Sequence, residues 1–259
     1  MAAKKIVVIL GAGPGLGQAC GRIFASKGHP VALLSRSMDR LEQLSNAINK
    51  EVGDEKRTRP YAVDVTKKED IENTFKKIAK DFQDAKIHTA IYNAGGLFQI
   101  KAFLDLTEND YRNIYNIQVI GALHFSQTFI RSLQQQSEWQ EWQKDANVTT
   151  SVGNLFFTGA TSALRGSAKM SSFSHSSFAL RSMTQSIARE FGPQGIHVAH
   201  FILDGMVDTE RLKEMVPGDF EPNSRLKPDD IAQVYYDTAQ QKRSVWAFET
   251  DLRPAKEKW

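Results

Sequence analysis

Residues 11–17 read GAGPGLG, directly after the apolar run KIVVIL and directly before QACGRIFASKG. A glycine turn between a strand and a helix leaves backbone N–H groups free to face a phosphate at the helix N-terminus, where the dipole favours negative charge. Gly11, Gly15 and Gly17 fit G-x-x-x-G-x-G, and Pro14 and Leu16 complete the turn; G-x-G-x-x-G starting at Gly11 would need a small residue where Leu16 stands. The competing reading is a tight turn that packs strand on helix with no ligand, although so many glycines carry an entropic cost. Nineteen residues after Gly17 a second strand ends in Ser35-Arg36. A carboxylate there would accept hydrogen bonds from an adenosine ribose, whereas an arginine pairs with a 2'-phosphate. Arg36 therefore points to NADP(H), its alternative being a solvated arginine at a helix start. Asp39 is the only nearby acid and falls inside the helix that Ser37 is expected to cap.

A second stretch with chemical potential, SSFSHSSFALRSMTQSIAREFGPQGIHV, spans 171–198. Phe173, Phe178, Leu180, Met183 and Ile187 recur at helical spacing, and the pattern breaks at Gly192-Pro193. The first two turns hold serines, one histidine and phenylalanines. No side chain there both exchanges a proton near neutrality and has a neighbour that would help it.

These residues need a scaffold, and short β-branched runs alternating with amphipathic stretches supply one. The expected strands are 5–10, 30–35, 59–65, 87–93, 154–159 and 196–203; helical periods lie near 15–27, 38–51, 67–82, 108–136 and 172–191. Strands without clean in/out alternation, each followed by a helix, indicate a doubly wound α/β fold with a parallel sheet covered on both faces. A length of 259 residues fits a single domain over the whole chain, 1–259. With 33 basic and 30 acidic residues spread along the chain, no field is concentrated enough for nucleic acid. One cysteine, Cys20, excludes an internal disulfide and multi-cysteine zinc sites; no metal is expected. The N-terminal MAAKKIVVILGAG superficially resembles a signal peptide, but its apolar run is too short and runs into glycines, so it reads as a buried strand. No stretch approaches a membrane span, and a cytoplasmic protein is expected.

Two segments depart from the alternation. The polar stretch at about 134–153 carries Trp139 and Trp142 and reads either as a helix extension plus surface loop or as a partner contact. The segment at about 211–228, with three prolines and no periodicity, reads as a substrate lid before the helix PDDIAQVYYDTAQQ.

Taken with GAGPGLG, the residues Asp64 in AVDVT, Asn93-Ala94-Gly95 after the fourth strand, and SFALRSMTQSIAREFGPQGIHV make the chain resemble the short-chain dehydrogenase/reductase family from about residue 5 to 210. The resemblance implies a Rossmann-like domain, with Asp64 and Val65 beside the adenine of NADP(H) and the 93–95 turn shaping the cofactor cleft. DGMVDT is similar to the family's P-G-x-x-x-T turn, matching at Gly205, Val207 and Thr209, with Asp204 in place of proline. The family's catalytic positions all differ. Its Y-x-x-x-K pair falls on Phe173 and Ser177, its serine on Ala160 and its asparagine on Gln118. A phenol, with a pKa near 10, needs a neighbouring cation to work near pH 7, and Phe173 has no proton to exchange. Ser177 remains able to hydrogen-bond a nicotinamide ribose.

Among substitutes, His175 lies about 200° round the helix from Phe173 and is expected to face away. Asp204 is the weak candidate that remains, read as either a structural turn aspartate or an acid; Thr161, Ser162 and Ser176 are donors but poor acids, and Tyr115 has no defined direction. Three functions stay open. The first is an NADP(H)-linked oxidoreductase with a non-standard site acting on a small carbonyl, imine or activated alkene. The second is a non-redox or inactive regulatory subunit on the same fold. The third is a non-catalytic partner in a mixed oligomer, with a homodimer or homotetramer as the default.

Overall fold

The computed structural model describes residues 4–95, 99–145, 147–215, 218 and 220–257. Its first strand, β1 (Lys4–Leu10), is fully buried from Ile6 onward, so layers must cover both of its faces. The chain then alternates α1 (Leu16–Ser26), β2 (Val31–Ser35), α2 (Met38–Val52), β3 (Thr58–Ala62), α3 (Lys68–Asp81) and β4 (Ala85–Tyr92). There follow α4 (Glu108–Tyr115), α5 (Gly121–Gln134), α6 (Ser137–Lys144), β5 (Gly153–Ala160), α7 (Ser171–Phe191) and β6 (Ile196–Leu203). The order closes with α8 (Glu210–Met215), α9 (Pro228–Ala239) and β7 (Glu249–Leu252).

All strand pairs are parallel, in the order β3-β2-β1-β4-β5-β6-β7. One apolar layer joins the sheet to α3, α5 and α7 through residues such as Ile71, Phe125 and Leu180. The other joins it to α1, α2 and α9 through Phe24, Leu41 and Tyr235. The architecture is therefore the expected doubly wound sheet. Its order reverses at β1, between β2 and β4, which opens a crevice at the carboxyl ends of those strands.

The local differences from expectation have physical causes. The expected 59–65 strand ends at Ala62, because the chain turns over Asp64 with Lys67 N donating to Asp64 O. The 108–136 helical span is interrupted by one π turn, Asn116–Ile120, between α4 and α5. Ser37 does occupy the N-cap of α2, but its side chain makes no capping bond. The short strand β7 was not expected at all; it takes its conformation by pairing with β6, His200 opposite Glu249 through Leu203 opposite Leu252. Of the expected lid, residues 216, 217 and 219 lie outside the described residues, as do residues 1–3 of the N-terminal run. No helix among the described residues is long and apolar enough to cross a membrane.

The tryptophan segment corrects one of the two readings left open for it. Trp139 and Trp142 sit on α6 and point inward, 6% and 9% exposed. Trp142 packs against Gly195, donates from Nε1 to Thr150 O at 2.9 Å, and lies beneath the Arg243 guanidinium at 4.5 Å. The rings are core residues and present no surface for a partner. Trp142→Ala is expected to cost about 3–5 kcal/mol of stability. A urea unfolding midpoint that does not move would show that the ring contributes no packing.

Candidate functional site

A cleft of about 1060 Å³ opens over the carboxyl ends of β1, β2, β3 and β4. Gly11, Pro14, Ser35, Arg36, Asp64, Val65, Asn93, Ala94 and Gly95 all line it, so four separate chain segments predicted to meet do meet. Three glycines of the turn have reasons within the protein itself; at Gly17 a Cβ would run into Gly11 O. Gly11 has φ +90°, and a Cβ there would stand 2.4 Å from Asn93 O; Gly15 has φ +105°, and a Cβ there would stand 2.7 Å from Thr209 Cγ2. Gly13 is different: it lines the cleft, and nothing lies within 4 Å of its Cβ direction. The backbone can thus be approached closely from the cleft side, as a diphosphate requires. Because α1 starts at Leu16, the Leu16 and Gly17 amides find no acceptor among the described residues, whereas Gln18 N donates to Gly13 O at 3.0 Å and Ala19 N to Gly15 O at 2.9 Å. The Leu16 side chain is buried in the core, and Gly15, Leu16 and Gly17 are not among the residues that line the cleft.

Arg36 is exposed and stands in the cleft at the end of β2. Arg40, one helical turn on, lines the cleft with it. Sequence reasoning missed Arg40; the i, i+4 spacing from Arg36 was the available signal. Asp39 is exposed and is not among the residues lining the cleft. Across the cleft, Asp64 accepts from the Thr66 hydroxyl at 2.7 Å and the Thr66 amide at 3.0 Å. Those bonds, outweighing partial desolvation and helped by Lys67 and Arg36, hold its carboxyl below the ordinary range. Asn93 fixes the opposite wall by donating from Nδ2 to Gly11 O at 3.1 Å.

Shape and charge therefore fit a phosphate-bearing dinucleotide: open space at Gly13 beside the start of α1, and two cations at the end of β2.

The remaining predicted positions lie outside this cleft. Gly205 packs on Pro254, Val207 bridges to Leu226, and Thr209 backs the glycine turn at Gly15. The Ser177 hydroxyl donates to Phe173 O at 2.9 Å within its own helix, a bond that competes with the expected ribose contact. Asp204 is buried, accepts from the Thr161 hydroxyl and pairs with Arg253 at 2.9 Å. Ser176 donates to Ser172 O at 3.3 Å. His175 is exposed against α4, its ring centroid 5.3 Å from those of both Tyr111 and Tyr115, which also fixes the direction of Tyr115. Ala160 closes β5, and Gln118 is buried in the π turn, its Oε1 without a donor among the described residues. No group of three or more His, Cys, Asp or Glu placed to hold a metal occurs among the described residues.

Residues 5–219 match the family model for short chain dehydrogenase. An uncharacterized oxidoreductase of Staphylococcus aureus is 25% identical over 250 residues, covering 96% of this chain and 97% of the relative. Among solved structures, a short-chain dehydrogenase from Rhodopseudomonas palustris superposes with a TM-score of 0.75 at 25% identity, covering 96% of this chain and 98% of that one. An alcohol dehydrogenase from Thermococcus sibiricus, complexed with 5-hydroxy-NADP, superposes with a TM-score of 0.81 at 23% identity over 99% of both chains.

Proposed function

The chain belongs to the short-chain dehydrogenase family, and from that premise we propose that it is an NADP(H)-dependent oxidoreductase working without the family's usual proton donor. The observation that carries the cofactor reading is the pair Arg36 and Arg40 in the cleft, facing the region where an acid would select NAD. In this reading the Leu16 and Gly17 amides and the open face at Gly13 hold the diphosphate, the two arginines hold the 2'-phosphate, and Asp64 and Val65 flank the adenine. Asn93, Ala94 and Gly95 form the wall toward the reacting end. When bound, the cofactor supplies a hydride acceptor or donor.

The chain's own residues set what substrate suits that chemistry. Phe173 has no proton to give, the Ser177 hydroxyl is held by its helix, and Asp204 is held by Arg253 and Thr161. Reducing a ketone develops an alkoxide and would go unassisted by a general acid, a contribution of about 10²–10⁴ in rate. A substrate already cationic at its C=N carbon gives a neutral amine and needs no proton from the protein. Among small carbonyls, imines and activated alkenes, the cyclic imine is therefore the preferred class. The same engaged hydroxyls favour a second reading, a nucleotide-binding regulatory subunit on this fold without turnover. We further assign the chain to one domain, cytoplasmic, assembling as a homodimer or homotetramer.

Fluorescence titration with NADPH and NADH, followed by NADPH oxidation with ketones, enones and cyclic imines, tests the proposal. NADPH is expected to bind at least tenfold more tightly than NADH, with turnover on imines first. Binding without turnover across the panel would favour the regulatory reading, and absence of NADPH binding at tens of micromolar would end both.

A further inference from the structure

We propose that Arg253, in the C-terminal tail, is a positioning residue for the cofactor site, acting through Asp204 on the turn that backs the glycine loop; its effect on the nucleotide rests on the NADP(H) reading above. In DGMVDT, Asp204 stands where the family's P-G-x-x-x-T turn has proline. A proline fixes its own φ and has no N–H to give. Asp204 has one and donates it to Leu252 O at 2.8 Å, which carries the β6–β7 ladder past the pair Leu203 and Leu252. The turn is thus held by the tail where a ring would otherwise hold it.

The Asp204 side chain is fastened as well. Its carboxylate pairs with Arg253 Nη2 at 2.9 Å and accepts from the hydroxyl of Thr161, the first residue of the short turn after β5. Asp251 accepts from the same guanidinium, at 3.1 Å from Nε and 2.6 Å from Nη2. With side chains 8% and 18% exposed, Asp204 and Arg253 are little screened by water. Beyond them Pro254 lies against Gly205, Lys256 N donates to Asn223 O at 3.4 Å, and the Lys256 ammonium pairs with Glu221 at 2.7 Å. The segment before α9 returns to the turn, Leu226 N donating to Met206 O at 2.9 Å and Asp208 N to Leu226 O at 2.8 Å. The tail therefore fastens together the turn after β5, the turn after β6 and the segment before α9. The turn after β6 ends on Thr209, whose Cγ2 stands 2.7 Å from where a Cβ on Gly15 would lie. Close-packed neighbours move together, so a shift of this turn reaches Gly15 and the Leu16 and Gly17 amides that follow it. Removing the cation would leave the Asp204 carboxylate largely buried without its ion pair, a cost that the turn relieves by moving toward water.

Fluorescence titration with NADPH and amide hydrogen exchange, on the native protein and on Arg253→Met, Arg253→Lys and Asp204→Asn/Arg253→Met, test the assignment. Arg253→Met is expected to weaken NADPH binding about tenfold and to speed exchange at residues 205–209 of the ligand-free protein, with exchange in β1 unchanged. Arg253→Lys still offers Asp204 a cation and should recover most of the affinity. The double variant should bind no more weakly than Arg253→Met, because the pair acts as one unit. Coupling is reciprocal, so in the native protein saturating NADP+ should slow exchange of the Asp204 amide and of the tail amides, a measurement that needs no substitution. Tail exchange that is the same with and without bound NADP+ would overturn the assignment, as would native NADPH affinity in Arg253→Met. Exchange that quickens equally in β1 and at 205–209 would also overturn it, since the arginine would then serve stability in general. Failure of the native protein to bind NADPH would instead strike the cofactor reading, while exchange at 205–209 in ligand-free Arg253→Met would still report the tail's hold on the turn.

Discussion

Replacing both Arg36 and Arg40 by alanine is expected to weaken NADPH binding about 100-fold and to leave NADH binding unchanged. Charge-assisted hydrogen bonds contribute about 1.5–3 kcal/mol each. Arg36 and Arg40 are exposed at the cleft mouth, so the lower end applies, close to tenfold per arginine. The discrimination follows from position: both arginines line the cleft where β2 ends and α2 begins. Only the phosphate on the adenosine ribose distinguishes the two cofactors there. The single variants should each lose about tenfold, and the losses should shrink as salt is raised. A double variant that loses NADPH and NADH affinity equally would show that the arginines serve the fold or the diphosphate and do not read the 2'-phosphate.

The second large effect is a gain. Ala160→Ser, Phe173→Tyr and Ser177→Lys together are expected to raise ketone reduction by about 10²–10⁴ with NADPH affinity little changed. Positions 173 and 177 are one turn apart on α7, so the ammonium would stand beside the phenol and lower its pKa toward neutrality. Ala160 ends β5 directly before the turn that leads toward α7, where a hydroxyl would complete the donor set. The gain should carry its own signature. Reduction by the triple variant should fall on the alkaline side as the phenol loses its proton, a limb the native protein lacks. Phe173→Tyr alone guards against a folding failure, since it adds one oxygen to a half-buried ring. Intact NADPH binding with no gain in either variant would mean that this end of the site does not receive a substrate carbonyl, and the regulatory reading would be strengthened.

Much of the scaffold was readable because it rests on short-range rules. Strands buried on both faces produce unbroken apolar runs, and amphipathic helices produce a 3.6 period, so six of the strands and the helices between them were placed within a few residues. β7 escaped because ETDL is short and half acidic; it is a strand only because the edge of β6 offers it hydrogen bonds. The π turn at Asn116–Ile120 escaped because one extra residue per turn leaves no trace in an apolar period. Arg40 escaped because an arginine four residues after another reads as a solvated helix face until the cleft is seen beneath it. The tryptophans escaped because two rings in a polar run carry no sign of direction, and Gly195, which makes room for Trp142, lies in another part of the chain.

By itself the amino-acid order determined the parallel sheet, the glycine turn at its first strand end, the cation at the second, and the absence of a phenol and ammonium on α7. Those are properties of local spacing and side-chain chemistry, which need no partner to be recognised. Tertiary structure alone decided that Asp204 is bound by Arg253 and Thr161 and that Trp139 and Trp142 face inward. Each of these is a meeting of residues distant along the chain, and whether a polar group is engaged or left wanting depends on what folding brings within 3 Å of it, a distance that no local pattern encodes.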